Sequence, residues 1–181
     1  AKRIRFLTGI VSAPAHHPAV LASEVAAADL LTGGRIMLGI GRGHPWVLNR
    51  LGLNPAESTA RFEESLRMLV EIFKSDYIES LEGQFWQIRD FKLSPPPLQQ
   101  PHPPVYTAAA TTPESAIFAG RLGHGLVQPG YLGIPFELVQ GLTETYRGNI
   151  SAARSSDVIL GIHLHVARDR EQAIENGALA L

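Results

Sequence analysis

RIMLGIGRG, residues Arg35–Gly43, is the stretch on which the fold turns. Ile36, Met37, Leu38 and Ile40 form a short apolar run, the pattern of a strand covered on both faces. The run ends in glycine, arginine, glycine. Gly41 and Gly43 let a backbone come close to a ligand, and Arg42 offers a forked cation between them. A charged residue just past a buried strand is where α/β folds place ligands. An ordinary glycine turn with a solvated arginine fits the same residues.

Working outward, strand-like and helix-like segments alternate. Ile4–Val11 reads as a strand, and Ser12–Pro18 as a loop broken by Pro14 and Pro18. Ala19–Leu31 carries Leu21, Val25, Ala28 and Leu31 at helical spacing and stops at Gly33 and Gly34. Beyond Arg42 no helix is expected at once. The clearest helix comes later: Phe62, Leu66, Leu69 and Phe73 make one apolar stripe, ending near Lys74. Asn54, Pro55 and Glu57 ahead of it suit a cap, a first-turn proline and an acid at the positive end of the helix dipole. Tyr77–Ile88 reads as a hairpin turning at Glu82-Gly83, and the proline-rich Leu93–Pro104 as a rigid surface connection. Strands at Val105–Ala109, Gly125–Gln128 and Val158–Val166 follow. They alternate with helices at Thr112–Leu122, Phe136–Arg154 (interrupted by Gly141 and Gly148) and Asp169–Leu181, the last capped by Asp169.

Five strand–helix units in series imply a parallel sheet with right-handed crossovers. An open doubly wound sheet and a closed eight-fold barrel both satisfy that. The spacing Gly39, Gly41, Gly43 is not the dinucleotide fingerprint, which puts the barrel ahead. A full barrel takes roughly 250 residues. At 181 residues the chain is a single domain about three units short of one, and it opens at Ala1 directly in a strand, as if in the middle of something longer.

Bulk composition narrows the function classes. Sixteen basic and 17 acidic residues nearly cancel, so no field recruits nucleic acid or an anionic membrane. Zero cysteines exclude a disulfide scaffold, a thiolate nucleophile and a thiolate metal site, and fit a reducing cytoplasm. No apolar run is long enough to span a bilayer.

A second ligand-facing element is Ala109-Ala110-Thr111-Thr112-Pro113-Glu114-Ser115, which follows a strand and opens a helix. Free amides there, flanked by the hydroxyls of Thr111, Thr112 and Ser115, suit a phosphate. Thr112 capping its own helix is the plainer alternative. In a parallel barrel this strand end and that of Arg42 would open on one face and could share one phosphate. His163 and His165 alternate on one expected strand, but nothing fixes a third ligand, so no metal is expected. His44, just past the glycine–arginine–glycine run, is a weak catalytic candidate. His16-His17 reads as a helix lead-in, and Trp46, Phe85 and Trp86 as pocket lining or ordinary packing.

Taken in series, these segments resemble the luciferase-like flavin-dependent monooxygenases. The matching stretches are RIRFLTGIV at Arg3–Val11, HHP at His16–Pro18, TGGRIMLGIGRG at Thr32–Gly43 and ESTARFEESL at Glu57–Leu66. EGQFWQI at Glu82–Ile88, QQPHPPVYTAAATTPESA at Gln99–Ala116 and RLGHG at Arg121–Gly125 continue the family order. The resemblance implies a (β/α)8 TIM barrel, here incomplete: about strands three to seven, without the first two units and the last.

It further implies that reduced FMN and O2 oxygenate a small organic substrate, with a flavin reductase supplying the cofactor. A deazaflavin coenzyme serving hydride transfer on the same fold is the alternative, and a non-catalytic flavin-binding protein a third reading. By position, Thr8, Gly9 and Ile10 match the bulge beneath the flavin ring, often a non-proline cis peptide. Gly41 and Arg42 match flavin contacts, Arg42 at the phosphate, and Arg61 a second phosphate arginine. Ala109, Thr111, Thr112 and Ser115 match the phosphate-binding strand end. The family's catalytic histidine or acid belongs to a segment outside this sequence, so the catalytic residue is unknown. The exposed strand edges of an open barrel lead us to expect a homo-oligomer.

Overall fold

The first strand and its neighbour are out of step by one residue, and that mismatch shapes the ligand-facing end of the sheet. A computed structural model describes residues 3–130, 133–150 and 157–178. In it the expected first strand is two short pieces, β1 (Phe6–Leu7) and β2 (Val11–Ser12), both parallel to β3 (Ile36–Gly41). From Phe6 opposite Ile36 to Ser12 opposite Gly41, the first strand advances six residues while β3 advances five. The extra residue is a β-bulge. It contains a cis peptide between Gly9 and Ile10, as the resemblance implied. The sequence reads as unbroken strand there because register belongs to a pair of strands and leaves no mark on one.

Glycines on β3 accommodate the bulge. A Cβ at Gly39 would sit 2.0 Å from the carbonyl oxygen of Thr8, and one at Gly41 would sit 2.4 Å from Cδ1 of Ile10. Residues two apart on a strand share a face, so both glycines face the bulge. Thr8 is fixed by its backbone N–H on the Met37 carbonyl at 3.2 Å and by its hydroxyl on the Gly39 carbonyl at 2.8 Å.

The remaining strands follow in chain order. β3 pairs with β6 (Val105–Ala108), β6 with β7 (Gly125–Gln128) and β7 with β8 (Val158–Leu160), all parallel. Consecutive β/α units therefore lie side by side. A doubly wound sheet would reverse its order at a switch point; none occurs among the described strands, and the arrangement is that of successive units in a barrel. β4 (Ile78–Glu82) and β5 (Gln87–Phe91) form a separate antiparallel hairpin. Its strands extend beyond the expected span, and its turn is the four residues 83–86, longer than a tight Glu82-Gly83 turn.

Helix α1 (Pro18–Thr32) packs Leu21, Ala22, Val25 and Ala26 into a core shared with Leu38 and Ile40 of β3. α3 (Ser58–Lys74) brings Phe62, Leu66, Leu69, Ile72 and Phe73 to the same core, as its stripe predicted. A short α2 (Pro45–Arg50) precedes it, correcting the expectation that no helix follows the glycine run. Six residues opened by a proline are too few for an apolar period to show. A second core joins α4 (Pro113–Leu122), β7 and α5 (Phe136–Gly148) through Ala116, Ala119, Leu126, Leu142 and Tyr146.

Gly141 does not interrupt α5; residues 151–154 of the expected helix lie outside the described residues. Asp169 accepts from the Gln172 N–H at 2.8 Å ahead of α6 (Arg170–Ala178), as expected of a cap. β8 stops at Leu160, not at Val166, because β7 offers partners only as far as Gln128. Ile162, Leu164 and Val166 beyond it are 65%, 81% and 80% exposed.

Buried polar groups tie the units together. Asp29 of α1, fully buried, accepts from the backbone and side-chain N–H groups of Gln99 at 2.8 and 2.7 Å, which pins the irregular proline-rich segment. Tyr106 of β6 lies where a Cβ at Gly125 would strike its ring, and its hydroxyl donates to Asp157, just ahead of β8. Burial, then that bond, pushes the Tyr106 phenol up to about 12. An unfolded tyrosine titrates near pH 10. Above that pH the unfolded chain gives up a proton that the native state keeps. The contribution is complete below pH 10 and is lost between pH 10 and about 12. Urea titrations across that window should show stability falling, with a shallower fall for Tyr106→Phe.

The bulge makes a second prediction. Gly39→Ala should lose about 1–3 kcal/mol through overpacking against Thr8. Gly141→Ala, inside α5 with nothing within 4 Å of the added Cβ, should gain about 0.5–1 kcal/mol. Urea midpoints of the two variants, moving in opposite directions, check both.

Candidate functional site

The C-terminal ends of parallel strands are where barrels gather their chemistry. There the Arg42 guanidinium, one residue past β3, divides its donors between two hydroxyls. One N–H meets Thr59 of α3 at 3.2 Å, and another meets Thr112 at 3.1 Å. Thr112 pairs in turn with the Ser115 hydroxyl at 2.9 Å. Three elements converge on one cation. Two of its five N–H groups are used this way, leaving donors to meet an anion.

Thr112 occupies the N-cap position of α4, yet its side chain makes no capping bond. The plainer reading of this threonine is therefore set aside: its hydroxyl turns to Arg42, and the N–H groups that follow Pro113 at the start of α4 keep no side-chain cap. Such amides carry the partial positive charge of the helix start. Ala109 is buried at the end of β6, its N–H on the Val127 carbonyl at 3.0 Å, while Thr111 is exposed.

The glycines play a different part from the one the sequence suggested. Gly41 makes room for the Ile10 side chain. A Cβ at Gly43, whose φ is +77°, would lie 2.0 Å from the Ser12 hydroxyl. The close approach is by the neighbouring strand, because the bulged chain occupies the space over β3. The Ser12 hydroxyl is buried there with no hydrogen-bond partner among the described residues. Gly9 and Ile10 are exposed, and a Cβ at Gly9 would meet nothing within 4 Å, so the crest of the bulge faces open space.

Arg61, two residues beyond Thr59 on α3, has partners of its own. Its Nε–H donates to Glu57 at 3.1 Å, and its guanidinium lies 4.3 Å from the centroid of the Phe85 ring. His44 is exposed and stacked on Trp46 at 6.2 Å, and Arg50 covers Trp46 at 5.3 Å. His17 accepts from the Ala19 N–H at 3.3 Å and meets the Trp86 ring edge-on at 5.2 Å, as a helix lead-in should. Trp86 donates to the Ser65 hydroxyl at 2.9 Å, which makes it hairpin packing.

His163 and His165 are exposed beyond β8, and no group of three metal-ligating side chains occurs among the described residues. A cavity of about 510 Å³ lined by Arg5, His102, Tyr106, His124 and Asp157 opens at the opposite, N-terminal end of the sheet. That face of a barrel carries stability rather than chemistry.

Sequence reasoning missed Thr59. It lies 17 residues from Arg42, and only the packing of the α3 start against the strand ends brings them together.

Comparison with known proteins identifies the family and the fold. The family model for luciferase-like monooxygenases matches residues 1–180. The oxygenase component of the flavin-dependent trigonelline monooxygenase of Acinetobacter baylyi is 33% identical over 95% of the chain and 48% of its own length. The F420-dependent glucose-6-phosphate dehydrogenase of Amycolatopsis mediterranei is 30% identical over 97% of the chain and 54% of its own. The crystal structure of monooxygenase RslO1 from Streptomyces bottropensis superposes with a TM-score of 0.91 at 31% identity, over 99% of the chain and 56% of that structure. The chain thus spans about half the length of the curated relatives it matches. The chain belongs to the luciferase-like monooxygenase family.

Proposed function

We propose that the protein is a flavin-dependent oxidoreductase in which reduced FMN and O2 oxygenate a small organic substrate. The observation that carries the reading is the Arg42 guanidinium, held by Thr59 and Thr112 beside the uncapped start of α4. A forked cation, hydroxyls and helix-start amides at one strand end are the donor set a phosphate monoester requires. The open crest at Gly9 and Ile10, on the adjoining strand end, offers a backbone surface for a planar ring. The residues present therefore fit FMN.

In this reading Arg42, Thr112, Ser115 and the N–H that follows Pro113 at the start of α4 hold the phosphate. Gly41 and Ala109 pack the strand ends around it, with Thr111 at the rim. Thr8 fixes the bulge that supports the ring, and Arg61 is a second cation for the phosphate. When bound, reduced flavin supplies the electrons that activate O2. The protein orients the cofactor. A flavin reductase as electron source, a cytoplasmic setting and self-association belong to the same reading.

A deazaflavin cofactor with hydride transfer is the second reading, favoured by the similarity to an F420-dependent dehydrogenase. Titration with FMN, oxidised and reduced, and with F420 separates the two. The first reading expects tighter binding of FMN, weakened about tenfold or more in Arg42→Ala as charged hydrogen bonds are lost. Affinity for F420 far above that for FMN would replace it with the second, and no binding of either would overturn both.

A further inference from the structure

The β4–β5 hairpin lies outside the parallel sheet, yet its tip is held on α3 more firmly than packing requires. The Glu64 carboxylate accepts from three successive backbone N–H groups, those of Gln84 at 2.7 Å and of Phe85 and Trp86 at 2.9 Å each. Successive amides turned toward one anion form a nest. Gly83 completes it: a Cβ there would lie 2.3 Å from the Glu64 carboxylate. The Trp86 indole adds a bond to Ser65, one residue along α3. The tip therefore has a fixed place.

What that place does is set the Phe85 ring against Arg61. An arginine side chain loses considerable rotamer freedom when it is held for one contact. Here Glu57 takes the Nε edge of the guanidinium and Phe85 takes one face. Among the described residues, the terminal amino groups and the opposite face are left to meet a ligand. The stack thus decides which way the second cation points.

We propose that Phe85, held by Glu64, is a positioning residue that orients Arg61 and so raises the selectivity of this site for flavins that carry a phosphate. The inference rests on the reading of Arg61 as a phosphate contact. Phe85 touches no ligand in this account; it acts through the arginine, by attraction between cation and ring face.

Selectivity, not activity, is the readout. Dissociation constants for FMN and for riboflavin, which lacks the phosphate, are measured for the protein and its variants by flavin fluorescence. Phe85→Leu keeps apolar bulk but loses the aromatic face. It should weaken FMN about two- to fivefold and leave riboflavin unchanged. Phe85→Tyr should restore the wild-type ratio. Glu64→Gln turns an amide donor toward a backbone N–H and should shift the ratio in the same direction as Phe85→Leu.

Equal weakening of both flavins by Phe85→Leu would make the residue a packing element and overturn the proposal, as would no change in either constant. Arg42→Ala separates this from the parent reading. If Arg42→Ala loses the preference for FMN while Phe85→Leu keeps it, the hairpin has no such part and the phosphate seat stands. If Arg42→Ala discriminates like the wild type, the seat itself is misplaced.

Discussion

The Thr8 carbonyl lies so close to β3 that no side chain fits between them at Gly39, and the geometry of the ligand-facing end follows from that contact. One extra residue in the first strand lifts Gly9 and Ile10 into open space. β3 must then be bare along one face, at Gly39 and Gly41, with Gly43 continuing the pattern past the strand end. Arg42, between the last two, points the other way and reaches α3 and α4. The bulge thus accounts both for the glycine spacing and for the freedom of the arginine to bridge two helix starts.

Much of the fold was legible because it rests on local periodicity. The runs at Ile36–Ile40, Val105–Ala108 and Gly125–Gln128 became strands, and the four-three-four spacing from Phe62 to Phe73 became the buried face of α3. Where partners decide, the sequence is mute. Alternation from Val158 to Val166 looks like one strand, yet pairing ends when β7 ends. The bulge leaves no local mark because a one-residue slip is visible only against a neighbour.

The site divided along the same line. Arg42, Thr112 and Ser115 could be named from strand ends and a helix start, and the fold brings them together. Thr59, which shares Arg42 with them, lies in the matching stretch ESTARFEESL, but nothing local marks it as a partner of Arg42, since its role comes from the docking of α3. Arg61 took a different environment from Arg42, against the hairpin. A carboxylate that serves three amides, Glu64, reads in the sequence as one more solvated acid on a helix; only the close approach of Gly83 and the hairpin amides reveals its use. The glycines have a use that the sequence did not suggest: the space a side chain would take at Gly39, Gly41 and Gly43 is filled by the neighbouring strand.

The proposed function needs one phosphate seat between the ends of β3 and β6. A crystal structure with FMN tests it most directly. The account predicts phosphate oxygens within hydrogen-bond distance of the Arg42 guanidinium and the N–H that follows Pro113 at the start of α4, with the flavin ring lying on the Gly9–Ile10 crest. FMN bound with its phosphate elsewhere, or its ring away from the bulge, would contradict it.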